Sequence, residues 1–426
     1  MAISRRHFLT MLTATGAMAA VPVSARAQSF SVTAPGEFEM QDFIWLSWKE
    51  QGFLGSAPFS SVATEVMRAI TPHVKVRLLY SDELPPYSFG TYTAARLPRD
   101  QAEARLLDTL RTSGIDVDRV EPFYYPKVFG AIQDPGPFFL RTASSGLAIA
   151  DYRYDHPDPR SEAMDRAIAA ELGLPTVRSS LVSEGGGRQS NGRGTLLLVK
   201  KVEQARNPSL TLDEIEREHL RVHGARKVIW LEDGPADEEW GLLEDGRYGI
   251  GTGGHVDVFA RFADPNTVLL AEVSEAQRNR YAIAAKTHAR MERNFDILRR
   301  STDQDGRPWR IIRVPVPDPL TVTYEVDRMT EEERGWFEGA SSGEQVEFYL
   351  PAGYLNFIIA NGVIVTARLH EPGRADSFAA SDEAARIALQ AAFPDRLIVQ
   401  VGVTPLLHDG AGLHCHSRNQ PNPRPS

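Results

Sequence analysis

The sequence predicts an α/β protein, and three observations predict it. Short runs rich in Val, Ile, Leu and aromatic residues alternate with amphipathic stretches from Phe30 to Arg418. No Ser/Gly- or Pro-rich linker interrupts that alternation, which favours mixed α/β layers over separate all-α or all-β parts. The composition is globular: of 426 residues, 42% are hydrophobic, 24% charged and 9% aromatic. That is too apolar and too weakly charged for a disordered chain, and there is no collagen or heptad bias.

Taken in order, the apolar runs predict strands over 42–48, 74–80, 147–152, 194–200, 227–231, 256–262, 267–273, 309–314, 354–360, 362–367 and 397–403. The amphipathic stretches predict helices over 60–71, 99–113, 160–172, 211–223, 274–299 and 381–393. Thr211 and Ser381 each stand before acidic residues, as a helix amino end prefers. Pro394 stops the last helix.

The first residues read as a processing segment. Ser4-Arg5-Arg6-His7-Phe8-Leu9 is a twin-arginine signal, an apolar run follows to Val23, and Ala25-Arg26-Ala27 closes it. Residues 1–27 are therefore expected to be removed by the twin-arginine (Tat) export machinery, leaving a folded protein that is periplasmic or secreted. Beyond them no apolar run approaches the ~20 residues of a membrane span, so no stable membrane insertion is expected. The formal charge of −9 repels phosphate backbones and argues against nucleic acid as a partner. Cys415 is the single cysteine, which excludes an intramolecular disulfide and a thiolate-only zinc site.

Four places combine glycine with ionisable side chains. In Gln133-Asp134-Pro135-Gly136-Pro137 a rigid turn carries a carboxylate, although surface turns look the same. In Ser183-Glu184-Gly185-Gly186-Gly187 a carboxylate opens a glycine run that lacks the Gly-Lys-Ser/Thr close of a phosphate loop. It could equally be a hairpin loop. In Gly253-Gly254-His255-Val256-Asp257, strand alternation would send His255 and Asp257 to one face. In Gly410-Ala411-Gly412-Leu413-His414-Cys415-His416 the thiol lies between two histidines, which can lower a cysteine pKa. A Cys/His metal site is the rival there, disfavoured because neighbours on a strand point apart. Together these groups suit thiolate attack on a flat cation. Carboxylates meet planar N–H forks, and a histidine moves protons.

These motifs resemble those of the agmatine deiminase and bacterial-type (Porphyromonas-type) peptidylarginine deiminase family, within the guanidino-group-modifying pentein superfamily. The markers run in the family's order: Asp134-Pro-Gly-Pro, Glu184-Gly-Gly, Asn191-Gly-Arg-Gly-Thr195, Arg206-Asn207-Pro208, Gly254-His255-Val256-Asp257 and Gly412-Leu-His-Cys415. The resemblance implies a five-bladed α/β propeller of pseudo-fivefold ββαβ modules. It implies one catalytic domain over 28–419, with 420–426 a Pro-rich tail. It implies Cys415 as nucleophile, His255 as general acid/base and Glu184 as the acid that orients it. Asp134 and Asp257 would hold the guanidinium, and neither metal nor organic cofactor is expected. The implied reaction is hydrolysis of a guanidino substrate to a ureido product and ammonia through a covalent thiouronium. The partner would be a small cationic guanidine, agmatine first, or an arginine-containing peptide. Self-association into a homo-oligomer is left open. Two alternatives share the residue pattern: an amidinotransferase, and a non-catalytic periplasmic binding protein for polyamines or guanidines. The chain departs from the family pattern at Gln133, where arginine is usual, and after Cys415. No role is assigned to Arg153, His414 or His416.

Overall fold

In five places two antiparallel strands are joined, through helix, to a third strand parallel to the second. This computed structural model describes residues 31–85, 95–127, 130–156 and 158–424. The signal segment expected over 1–27 lies outside them. Phe138–Thr142, Leu147–Arg153 and Thr176–Val182 form one such sheet. Arg188–Ser190, Thr195–Val199 and Lys227–Leu231 form the next. Ala260–Asp264, Thr267–Glu272 and Arg310–Pro315 follow, then Ile358–Ala360, Val363–Arg368 and Leu397–Gly402. The remaining unit pairs the last strand, Ser417–Pro421, with Gln41–Ser47, which lies parallel to Lys75–Tyr80. The last strand is therefore held beside the second strand of the chain, whereas the first, Val32–Thr33, pairs with Phe138–Thr142 in another sheet. A separate four-stranded sheet joins Trp240–Leu242, Tyr248–Ile250, Gln345–Leu350 and Leu320–Glu325.

The middle strands are near-continuous hydrophobic runs because they are covered on both faces. Thr195–Val199 is buried at every position. Crossing helices do the covering: Phe59–Ile70, for example, buries Phe59, Val62, Val66, Met67 and Ile70 on one side. The result is the expected mixed α/β architecture.

Local structure departs from expectation where tertiary contacts overrule the pattern. The strand expected over 256–262 begins at Ala260, and Val256–Val258 is a 3₁₀ turn. Gly253 and Gly254, both at positive φ, turn the chain tightly just before it. Only Ile358–Ala360 of the expected 354–360 strand is paired, because Tyr354 turns away to donate to Asp382. The expected helix over 274–299 divides at Tyr281, and that over 160–172 at Ala163. Thr211 caps its helix with a full capping box. Ser381 does not cap, because the helix starts earlier, at Asp376, and Ser381 Oγ donates to Phe378 O inside it. Gln420 and Pro421, expected in the tail, belong to the last strand.

The strand pattern matters for function because of what stands just before each first strand. Asp134 precedes Phe138–Thr142, Glu184 precedes Arg188–Ser190, and Asp257 precedes Ala260–Asp264. Asn356 precedes Ile358–Ala360, and Cys415 precedes Ser417–Pro421. Five equivalent strand entrances thus each deliver one polar side chain.

The turn that starts the Cys415 segment tolerates no side chain. Gly410 sits at φ 72°, and a Cβ there would lie 2.0 Å from the carbonyl oxygen of Ile250. Gly410→Ala is expected to cost at least ~1–3 kcal/mol of unfolding free energy, the range for a strained backbone position. Urea denaturation followed by circular dichroism checks this, and an unchanged midpoint would contradict it.

Candidate functional site

Three of the strand entrances meet around Gly186. A Cβ on this residue would lie 2.8 Å from His255 Nδ1, 3.0 Å from Asp257 Oδ2 and 3.1 Å from Asp134 Oδ1. Glycine is needed because three functional groups converge on its α-carbon. Gly185 is equally constrained, its Cβ position lying 1.9 Å from the Gln133 carbonyl oxygen. The backbone N–H of Gly186 donates to Asp134 Oδ1 at 3.0 Å and so fixes that carboxylate.

His255 stands between two acids: Nδ1 is 3.6 Å from Asp134 Oδ1, and Nε2 is 3.5 Å from Glu184 Oε2. Glu184 accepts at 2.6 Å from Arg206 Nε. Arg206 ends the helix Lys200–Arg206, and the next residue, Asn207, clamps the Val182 backbone through both its N–H and its C=O. This gives a structural reason for the Arg206-Asn207 motif: it anchors the strand end that bears Glu184.

Cys415 lies in a turn, not on a strand. Its Sγ is 3.2 Å from Asn356 Nδ2 and 3.8 Å from Asp257 Oδ2. Asn356 also accepts, through Oδ1, from the backbone N–H groups of His414 (2.8 Å) and Cys415 (3.2 Å). Gly412 makes room for it, since a Cβ there would sit 2.5 Å from that oxygen. Asn356 was missed from the sequence because it fell within an expected strand. Its position two residues before the first strand of a sheet unit, like that of Cys415, is the signal that could have found it.

Cys415, His255, Glu184, Asp134 and Asp257 therefore form one contiguous cluster. It is deeply enclosed: Asp257 is 0% exposed, His255 and Cys415 1%, and the Asp134 side chain 12%. Within it both ring nitrogens of His255, Glu184 Oε2 and Asp257 Oδ1 have no hydrogen-bond partner among the described residues. Buried polar atoms are normally paired, so this set marks a binding site for a polar group.

Electrostatics follow from enclosure. Burial opposes the charge on His255, but Asp134, Glu184 and Asp257 outweigh it and raise the imidazole to about 9. Burial also works against an ionised Glu184, yet Arg206 and His255 hold it below the usual carboxylate range. Asp134 is pushed up, by burial first and then by Glu184 and Asp257. The Cys415 thiol is pushed well up by burial and by Asp257 and Asp134. This corrects the expectation that flanking histidines lower it. His414 is engaged by Asp257 and Glu37, and His416 Nδ1 bonds the Gly412 carbonyl oxygen at 2.9 Å. Neither faces the sulfur as a free cation.

Among the described residues no group of three or more His, Cys, Asp or Glu side chains is arranged to hold a metal ion. Asp158 is used internally, 2.8 Å from both Lys127 and Arg160. Arg153 is exposed at a strand end, and its carbonyl oxygen accepts from Ser183 N at 3.2 Å.

A buried thiol grouped with an imidazole and three carboxylates is the equipment of a hydrolase that attacks through sulfur and moves protons through histidine. The profile of the Porphyromonas-type peptidyl-arginine deiminases matches residues 33–421, and the chain belongs to that family. It is 27% identical over 418 residues to an agmatine deiminase of Pseudomonas putida, covering 93% of this chain and 97% of that one. Its fold is similar to that of the agmatine deiminase of Enterococcus faecalis, with a TM-score of 0.70 over 92% of this chain and 97% of that one, at 21% identity. It is also similar in fold to a cysteine-to-serine variant of C. jejuni agmatine deiminase with substrate bound, with a TM-score of 0.63 at 18% identity over 92% and 97% of the two chains.

The raised imidazole has a direct spectroscopic consequence. Proton NMR of a Cys415→Ala variant should show His255 titrating near 9, well above the ordinary histidine value of ~6.5. Adding Asp134→Asn should move that midpoint down, because a neighbouring negative charge is removed. A midpoint that stays put would remove Asp134 from contact with the imidazole.

Proposed function

We propose that this chain hydrolyses the guanidino group of a cationic substrate to a ureido group and ammonia through a covalent thiouronium on Cys415. The observation that carries this reading is the enclosed cluster, in which two carboxylates and an imidazole surround one glycine and the thiol lies 3.8 Å from one of those carboxylates. A guanidinium presents flat N–H forks that suit carboxylates arranged about a plane.

Asp134 and Asp257 hold the guanidinium. The unpartnered oxygen Asp257 Oδ1 and the carboxyl group of Asp134, which burial pushes up, supply the acceptors. Docking of the cation places positive charge beside the sulfur and favours loss of the thiol proton to bulk water, a proton that returns to the sulfur when the C–S bond later breaks. The thiolate attacks the central carbon, forming a C–S bond and a tetrahedral adduct. His255, protonated at neutral pH, gives its proton to the departing nitrogen, and ammonia leaves as the C–N bond breaks. The neutral imidazole then takes a proton from water. The resulting hydroxide attacks the thiouronium carbon, and breakage of the C–S bond releases the ureido product. Glu184, fixed by Arg206, keeps the ring oriented between the two acids.

The five repeated sheets, each contributing one polar residue, support a five-bladed propeller with the site on its axis. The depth of the site favours a slender guanidine such as agmatine over free or peptidyl arginine. The twin-arginine pattern over 1–27 supports export by the Tat machinery to the periplasm.

Ammonia release from the chain beginning at Gln28, assayed over agmatine, arginine, arginine-ended peptides and simple guanidines, tests the reading. Agmatine should turn over without an amine acceptor. Cys415→Ala should abolish release, and substantial residual turnover would overturn the mechanism. Asp134→Asn should weaken agmatine binding by ~1.5–3 kcal/mol, the contribution of a hydrogen bond to a charged group. Calorimetry with the Cys415→Ala variant measures this without turnover.

A further inference from the structure

Behind the groups that would meet substrate, three side chains link the site to the amino-terminal segment. Asp257 Oδ2 is 2.6 Å from His414 Nδ1. His414 Nε2 is 2.9 and 3.0 Å from the two oxygens of Glu37. Glu37 in turn pairs with Arg261, which is fully buried and spends its other N–H groups on Gln189 Oε1 and on the carbonyl oxygens of Leu355 and Phe357. His414 is 0% exposed, and its backbone N–H is held by Asn356 Oδ1.

The two oxygens of Asp257 are thereby made unequal. His414 takes Oδ2, and Oδ1 is left buried and unpartnered. A carboxylate with one oxygen pinned cannot turn about its last bond, so its other oxygen points in one direction only. Glu37 and Arg261 fix the far side of the imidazole and stop the ring from swinging away. Histidine is suited to this because its two nitrogens can serve two carboxylates at once. A misplacement of ~1 Å in a catalytic group can cost ~100-fold in rate.

We propose that His414, locked by Glu37, is a positioning residue that sets the rotation of Asp257 and hence the direction from which its free oxygen meets the guanidinium. This rests on the deiminase reading for its substrate. It adds a requirement that the segment carrying Glu37 be in place before the site is complete.

Two substitutions separate the two nitrogens. An asparagine amide reaches about as far as Nδ1, and a glutamine amide about as far as Nε2. His414→Asn should therefore still donate to Asp257, whereas His414→Gln should reach only toward Glu37. With agmatine as probe, His414→Asn is expected to stay within about 5-fold of wild-type kcat/KM. His414→Gln is expected to lose about 10- to 100-fold, mostly through KM, because the lost grip acts on bound and reacting cation alike. Calorimetric agmatine binding in the Cys415→Ala background should show the same ranking. Equal losses in both variants, wild-type kinetics in both, or a fall in kcat with KM unmoved would overturn the proposal.

If His414→Gln does not melt cooperatively, Glu37→Gln serves instead, since it keeps the size and one hydrogen bond but removes the charge. It should raise KM about 3- to 10-fold, and an unchanged KM overturns the proposal. The deiminase reading fails separately, on the wild-type protein, if no guanidine yields ammonia. Agmatine binding would then still report the aim of Asp257, and absence of both binding and turnover would overturn both ideas.

Discussion

Carboxylates buried together without enough cations beside them are the constraint on which the rest of this structure depends. Asp134, Glu184 and Asp257 lie in a site from which water is nearly excluded. An isolated buried carboxylate is costly to ionise, and each of the three escapes that cost differently. Glu184 has Arg206 and His255. Asp257 has His414 on one oxygen. Asp134 has one backbone N–H and a longer approach to His255, and its pKa is accordingly pushed up. The site is short of positive charge where Asp134 and Asp257 converge on Gly186. A planar cation supplies what is missing, which explains why affinity for a guanidinium and instability of the empty site are one property.

The fold makes such an arrangement affordable by placing each group on rigid backbone. Every one of Asp134, Glu184, Asp257, Asn356 and Cys415 stands two to four residues before a strand whose ladder fixes its direction. Because these strands belong to different sheets, the groups converge from five directions instead of along one helix or loop. Close approach then demands residues without side chains at the junctions, which accounts for Gly185, Gly186, Gly410 and Gly412 in physical terms. Elements fixed by their own hydrogen bonds and packing hold a site more tightly than mobile loops do.

Much of this was legible in the sequence, and the losses have physical causes. The middle strands, buried on both faces, read clearly as apolar runs: 227–231 agrees to the residue, and 267–273 differs by one. Two first strands were missed: Arg188–Ser190 is short and polar, and Phe138–Thr142 follows directly on the Pro135-Gly136-Pro137 turn. Arg188-Gln189-Ser190 has no alternating pattern because its polar side chains serve buried partners. The five candidate residues that cluster in the structure could be singled out because glycine beside an ionisable group is rare outside turns and sites. His255 and Asp257 do face the same cluster, but through a 3₁₀ turn, not by strand alternation. The charge state of Cys415 was misjudged because sequence proximity to His414 and His416 says nothing about where those rings point. The role of His414 depends on Glu37, 377 residues away in the chain, and local sequence could not reveal that pairing.

The raised thiol looks at first unsuited to a nucleophile, since sulfur attacks as the thiolate. The difficulty disappears once the substrate's charge is counted. In the proposed reaction the carboxylates that disfavour a thiolate are the groups that attract the guanidinium. When the cation lies between Asp134 and Asp257, their field at the sulfur is cancelled and a positive carbon faces it. The low dielectric that raised the thiol also strengthens the pull of that carbon on a thiolate. Binding and activation then become a single event, and the enzyme carries an inert thiol until its own substrate arrives. Such an arrangement protects a lone cysteine, because susceptibility to oxidation follows thiolate character and exposure, and Cys415 is buried with its thiol pushed up. Deep burial and the ring of acids therefore solve two problems with one arrangement: they select a cation, and they keep the nucleophile protonated until that cation is bound.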